Sequence, residues 1–272
     1  MTTFYCLMII ENSIVLIAFL LAGYLVFAVI DILYARIFKK PLFINAVLFF
    51  KKLPPEEVEF LENNFSFYKK LTPRQKRIFQ HRMNVLSKRK KFKTVAPLTI
   101  TDEMKLLITG TLVMLTFGMR NYSIKSVKTI LIYPSSYYSQ IKKQDHIGEF
   151  NPAMKAVVLS WEHFLKGYEI KNDNLNLGIH EFSHALHYNS MQLWDTSSIL
   201  FSRGFLAIQK LLANDEYSQT IKEVAYLRDY AHTNMYEFFA VCVEHYIESP
   251  TEFKKELPDL YKILKRMLNY EF

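Results

Sequence analysis

Cysteine is almost missing from this chain of 272 residues: Cys6 lies near the N-terminus and Cys242 falls inside a helical pattern. Two cysteines so placed give no structural disulfide and no cysteine-based metal motif, and they fit a reducing compartment. No Lys or Arg precedes Ser13, and no cleavage site of the A-x-A kind follows the apolar run that begins there. A cleaved signal peptide therefore fits poorly. Asp and Glu are missing from residues 63–101, where 11 Lys or Arg accumulate. Internal repeats and low-complexity segments are absent. No nucleic-acid-binding module is visible, and basic charge alone does not create one.

Half of the residues are hydrophobic and 15% are aromatic, enough for a large core. The length allows one substantial domain plus an appendage. Ser13 to Ile30 is an uncharged run of 18 residues, and only Asp31 interrupts before Ile32-Leu33-Tyr34. At about 1.5 Å per residue the run and its flanks reach across a bilayer core of ~30 Å. Residues 13–34 are read as a transmembrane helix after a short segment 1–12. Arg36, Lys39, Lys40, Lys51 and Lys52 follow the run, with nothing basic before it. The positive-inside rule then leaves everything from about residue 36 in the cytoplasm, as a single-pass protein of the cell (inner) membrane.

Residues 35–100 form a basic juxtamembrane and helical region. Its stretch 69–93 has two readings: contact with anionic lipid, nucleic acid or an acidic protein, or a solvated helix face. Direct nucleic-acid binding is not expected, because no module supports it. Glu56 to Asn63 starts a short acidic helix. Thr72-Pro73-Arg74-Gln75 predicts a capped helix running through Phe79, Met83 and Leu86 to near Lys88. Thr101-Asp102-Glu103 opens another, apolar up to Phe117. Residues 127–133 and 156–161 read as strands. Helices are expected over 176–189, within 202–228, over 237–248 before Ser249-Pro250, and over 260–268. The layout is α+β, helix-rich, with few strands.

His180-Glu181-Phe182-Ser183-His184 carries the chemistry. Two histidines four apart share one helix face, so both imidazoles reach one metal ion, and Glu181 projects beside it. This is the H-E-x-x-H arrangement of zinc peptidases. A catalytic zinc takes three protein ligands and keeps one position open. The three-histidine version is excluded, since position 187 is His rather than Gly and position 190 is Ser. Glu237 is a third-ligand candidate on an otherwise apolar helix, where a carboxylate is costly to bury unpaired. It has an equal alternative, closing a capping box with Asn234. Glu244, seven residues on, is either a rival ligand or a group holding a ligand from behind.

Several blocks together resemble a known family. They are Ile130-Leu131-Ile132-Tyr133-Pro134, Val158-Leu159-Ser160-Trp161, Asn176 through His184, Glu237-Phe238-Phe239-Ala240-Val241 and Pro258-Asp259-Leu260-Tyr261. In this order, across residues 68–268, they are similar to the Mlc titration factor A family of zinc-dependent peptidases, and more distantly to the catalytic domain of anthrax lethal factor. The resemblance implies a zincin-like catalytic domain over residues 101–272. It implies His180, His184 and Glu237 as Zn2+ ligands, Glu181 as catalytic acid/base and Tyr230 as a transition-state helper. His187 stands where the family usually has aspartate, and Met235-Tyr236 replace a usual Pro-x pair. Neither change removes a ligand. The best-known family member lacks the anchor, so its location and partners are not carried over.

These readings combine into a membrane-anchored zinc metallopeptidase. Its water is activated by zinc with Glu181 as general base, and its substrate is a peptide or protein lying extended beside an edge strand. Residues 157–161 are the expected edge. The alternative is a membrane-tethered protein that holds a regulatory partner, such as a transcription regulator, with little or no peptidase activity. A closed structural zinc site is disfavoured, since such sites are usually rich in Cys.

Overall fold

The apolar run forms the middle of one long helix, α1 (Thr2–Phe38), in the computed structural model of the chain. The structure describes residues 2–45, 47, 49–139, 143–170 and 172–272, with side chains for all of these but 2–10 and 139. The side chain of Cys6, expected to be unpaired, lies outside the described residues. Residues Glu11–Phe38 are long and apolar enough to cross a membrane. Ile14 through Leu25 stand clear of the rest of the protein, and Phe19 and Leu20 are among the exposed side chains. Water penalises such a surface, whereas hydrocarbon does not.

The helix meets the rest of the chain at its C-terminal end. Asp31 is buried there, and its two carboxylate oxygens each take a guanidinium hydrogen bond from Arg120 at 2.8 Å. The Leu42 N–H and the Thr196 hydroxyl donate to the same carboxylate. These bonds offset the cost of taking the charge out of water.

Three helices follow: α2 (Pro55–Asn64), α3 (Ser66–Lys69) and α4 (Pro73–Arg89). The predicted capping box is present, with Thr72 accepting from the Gln75 N–H and the Gln75 side chain returning to the Thr72 N–H. Ile78, Phe79, Met83 and Leu86 recur at helical spacing and pack α4 onto α5 (Asp102–Leu115). β1 (Lys91–Thr94) lies between these two helices in sequence and joins the sheet.

Two cations of the basic stretch turn inward. Arg82 is fully buried and donates to the carbonyls of Thr116, Phe117 and Met119. Lys90 donates to those of Ser123, Ile124 and Val127, and burial lowers its pKa to about 8. Both satisfy carbonyls in the loop after α5 that helix and sheet leave open. Lys69, Lys70, Arg74, Lys88, Arg89 and Lys93 remain at the surface.

The sheet strands are short: β2 (Thr129–Tyr133), a hairpin of β3 (Tyr137–Ser139) and β4 (Gln144–His146), then β5 (Gly148–Asn151) and β6 (Ala156–Ser160). The main sheet has the order β1-β2-β6-β5. Its first three strands are parallel, and β5 runs antiparallel to β6 with Gly148 opposite Leu159. The expectation that residues 157–161 form the edge is corrected here. β6 lies inside the sheet, whose edges are β1 and, on the side of β6, β5. Ala156, Val157, Leu159 and Ser160 are buried on both faces of β6, the pattern of an interior strand.

The remaining elements are α6 (Trp161–Glu169), α7 (Leu177–Met191), α8 (Thr196–Leu212), α9 (Asp215–Val224), a 3-10 turn Asp229–His232, α10 (Met235–Glu248), α11 (Pro250–Glu256) and α12 (Pro258–Leu268). α7 sits at the centre, against α5, α8, α10, β5 and β6. The helical pattern over 202–228 resolves into α8 and α9, because Asn214 caps the second helix by accepting from the Tyr217 N–H. The result is a helix-rich α+β protein with one N-terminal apolar helix.

Candidate metal centre

Ile179, Phe182, Ala185 and Leu186 anchor α7 in the core, which leaves His180 and His184 on the side that faces a cleft of about 420 Å³. Asn176 starts the helix by accepting from the Ile179 N–H at 3.0 Å. Four-residue spacing brings the two Nε2 atoms to 3.1 Å. Glu237, in the first turn of α10, places Oε2 2.9 Å from His180 Nε2 and 3.3 Å from His184 Nε2. Three atoms bound at ~2.0–2.1 Å to one tetrahedral ion lie roughly 3.3 Å apart. The triangle of His180, His184 and Glu237 therefore fits a metal ion, with histidine and carboxylate donors of a suitable kind.

Both sequence readings of the α10 start hold in part. Asn234 caps the helix, accepting from the N–H groups of Tyr236 and Glu237. The Glu237 side chain turns away from the cap toward the histidines. Glu244, two turns on, reaches the other side of the same imidazole: His180 Nδ1–H donates to its Oε1 at 2.7 Å. Glu244 is fully buried, accepts the Asn176 N–H at 2.8 Å and pairs with Arg228 at 2.7 Å. It is thus held behind His180, away from the converging Nε2 atoms. A carboxylate in that position fixes the ring and its tautomer.

Burial pulls the His180 pKa down, but hydrogen bonds to Glu237 and Glu244 outweigh it and hold the pKa at about 10. Burial raises that of Glu237, and the two histidines overcome it, taking the carboxyl well below its usual range. Tyr230 stands on the 3-10 turn, half exposed, with its ring centroid 5.9 Å from that of His180. Partial burial, then the charge and hydrogen bond of Glu237, push its pKa to about 12. Its hydroxyl keeps its proton at neutral pH.

Glu181 is buried where α7 faces β5. The approach is close: a Cβ on Gly148 would sit 2.8 Å from Glu181 Oε1 and 2.5 Å from Leu177 Cδ1. Any larger residue at 148 would push this carboxylate or Leu177 aside. His187 packs among aromatics, 4.1 Å from the Phe205 ring and 5.2 Å from Tyr236, and burial lowers its pKa to about 4.

All five residues singled out in the sequence, His180, Glu181, His184, Tyr230 and Glu237, line one cleft. Sequence reasoning missed Arg228 and Gly148. Arg228 has no motif around it, and only its pairing with a buried glutamate marks it. Gly148 lies in a four-residue strand too short to show alternation.

An uncharacterized protein of Synechocystis sp. is 24% identical to this chain over 235 residues, a match covering 80% of this chain and 85% of that protein. Residues 45–269 match the profile of the glucose-regulated metallo-peptidases M90, the Mlc titration factor A family, and the chain belongs to it.

Proposed function

We propose that the protein is a membrane-anchored, zinc-dependent metallopeptidase whose catalytic domain lies in the cytoplasm. The convergence of His180 Nε2, His184 Nε2 and Glu237 Oε2 within 3.3 Å, with Glu181 beside them, carries this reading. A zinc ion held there would polarise a carbonyl oxygen and make water acidic near neutral pH.

The chain's own groups supply the rest. Glu181 takes the proton from the attacking water and passes it to the leaving amine. The Tyr230 hydroxyl donates to the oxygen on which negative charge develops. β5 is an edge strand, and Gly148, Glu149 and Phe150 line the cleft. An extended peptide laid beside it would gain main-chain hydrogen bonds without regard to its side chains. α1 supplies the anchor, and the cations that follow it set the orientation.

The test uses the full chain in detergent micelles, loaded with zinc and incubated with a diverse peptide library, beside Glu181→Gln. Cleavage by the unaltered chain alone supports a peptidase. Bound zinc with no cleavage by either protein overturns the proposal in favour of a tethered binding protein.

A further inference from the structure

The end of α1 is gripped from two sides at one level. From one side, Leu42 N–H donates to Asp31 and the Phe43 ring packs, tilted, with its centroid 5.5 Å from that of Phe27, one turn toward the apolar run. From the other, the Thr196 hydroxyl donates to Asp31, and the Arg120 N–H donates to Ser197 Oγ. Arg120 ties the two together: its guanidinium pairs with Asp31, lies 4.1 Å from the Phe43 ring, and its Nε–H donates to the Phe43 carbonyl. The domain is thus fixed to the helix at Asp31, the residue that ends the uncharged run.

The two gripping segments carry exposed apolar side chains. Trp194, two residues before Thr196, is 91% exposed, and Met191 beside it is exposed too. On the opposite segment Phe49 is 87% exposed, with Leu42 and Phe50 also at the surface. Arg36, Lys39 and Lys40, at the end of α1, and Lys51 and Lys52, next to Phe50 in the chain, are exposed as well. Both segments meet at Asp31 and Arg120 and both bring large apolar side chains to the surface, which is the mark of a contact surface. Aromatic rings at the point where a helix leaves lipid, ringed by cations, match the chemistry of the bilayer interface.

We infer that residues 191–194 and the exposed side chains of Leu42, Phe49 and Phe50 form, with the end of α1, one lipid-facing surface on which the domain rests against the bilayer. This rests on the reading of α1 as a membrane span. Lipid is the occupant because the surface is continuous with α1 and lies at the level of Asp31, where the chain leaves the apolar layer. α7 carries His180 and His184 and ends at Met191 in this surface, about 10 Å along the helix from His184. The cleft is therefore held next to the membrane, and the substrate class it takes is a peptide segment close to the lipid surface.

The test reconstitutes the full chain and Trp194→Phe into vesicles of phosphatidylcholine with phosphatidylglycerol, plain or brominated high on the acyl chain. Tryptophan emission is compared after flotation. The expected result is that both proteins float and that bromine quenches the unaltered chain more than Trp194→Phe, the difference being the Trp194 contribution. Flotation with equal quenching of the two proteins places Trp194 in water and overturns the inference while the spanning helix stands. Failure of both proteins to float removes the spanning helix, and the inference with it.

Discussion

His180 stands between two carboxylates of one helix: Glu237 Oε2 lies 2.9 Å from its Nε2 and Glu244 Oε1 lies 2.7 Å from its Nδ1. The first carboxylate shares the converging side with His184. The second is fully buried, clamped by Arg228, and orients the ring. Replacing Glu244 by Gln keeps the volume but weakens the acceptor and leaves Arg228 without its counter-charge. Zinc affinity is expected to fall about 10- to 100-fold. Competitive titration against a zinc chelator checks this, and an unchanged affinity would remove Glu244 from the support of His180.

Glu181 has a separable role, because it does not share the triangle of donor atoms. Glu181→Gln is expected to lower turnover by at least ~10²-fold while zinc stays bound at full stoichiometry. Peptide hydrolysis and metal content, measured on the same sample, decide it. Loss of zinc in the variant would contradict the assignment.

Tyr230 reaches the site from outside the motif helix, with a hydroxyl whose pKa is pushed to about 12. Tyr230→Phe removes that donor and leaves the ring. The expected outcome is a drop in kcat on the order of 10²-fold with KM little changed. Equal rates for the two proteins would take Tyr230 out of the mechanism.

Gly148 tests the link between the edge strand and the base. A methyl group there meets Glu181 Oε1 at 2.8 Å and its Cγ at 2.9 Å. Gly148→Ala is expected to displace the carboxylate and crowd Leu177, cutting turnover while zinc binding changes little. A fully active Gly148→Ala protein would show that Glu181 need not sit against β5.

His245 sets a pH dependence of stability. It is buried, 4.7 Å from the Tyr226 ring, and burial lowers its pKa from 6.5 to about 4. Above pH 6.5 it is neutral in both folded and unfolded chains, so its contribution is at its maximum. As pH falls from 6.5 toward 4 the unfolded chain takes up the proton first, and stability drops by on the order of 3 kcal/mol. His245→Leu removes this loss. The melting temperature of the unaltered protein is expected to fall more steeply than that of His245→Leu as pH drops from 6.5 toward 4. Parallel curves would refute the assignment.

Local chemistry made much of this legible in advance. Thr72 with Gln75, Thr101 and Asn176 mark helix starts because a cap is satisfied within three residues of itself. His180 and His184 share a face because the helix repeat places them there, whatever surrounds the helix. The apolar run declares its length and its lack of charge without reference to any neighbour.

What depends on distant partners was not legible in spacing, and only the family resemblance singled out Glu237. Glu237 and Glu244 lie seven residues apart on one face of α10, and their spacing ranks neither above the other. Only the packing of α10 against α7 gives one to Nε2 and the other to Nδ1. The edge position of β5 follows from its register with β6, a pairing that four residues cannot announce. Arg82 and Lys90 read as part of a basic surface, yet the fold turns them inward onto carbonyls of the 116–127 loop. Asp31 read as an interruption of an apolar run, and its partner Arg120 lies 89 positions away. The sequence alone determined α2, α4, α5, α7, α10 and α12, the cap at Thr72, the His180/His184 pair on one face and the apolar span, because each rests on neighbours within a turn or two of chain. The third donor, the group behind His180, the edge strand and the grip on α1 were decided by tertiary structure, because each needs two segments far apart in sequence to meet.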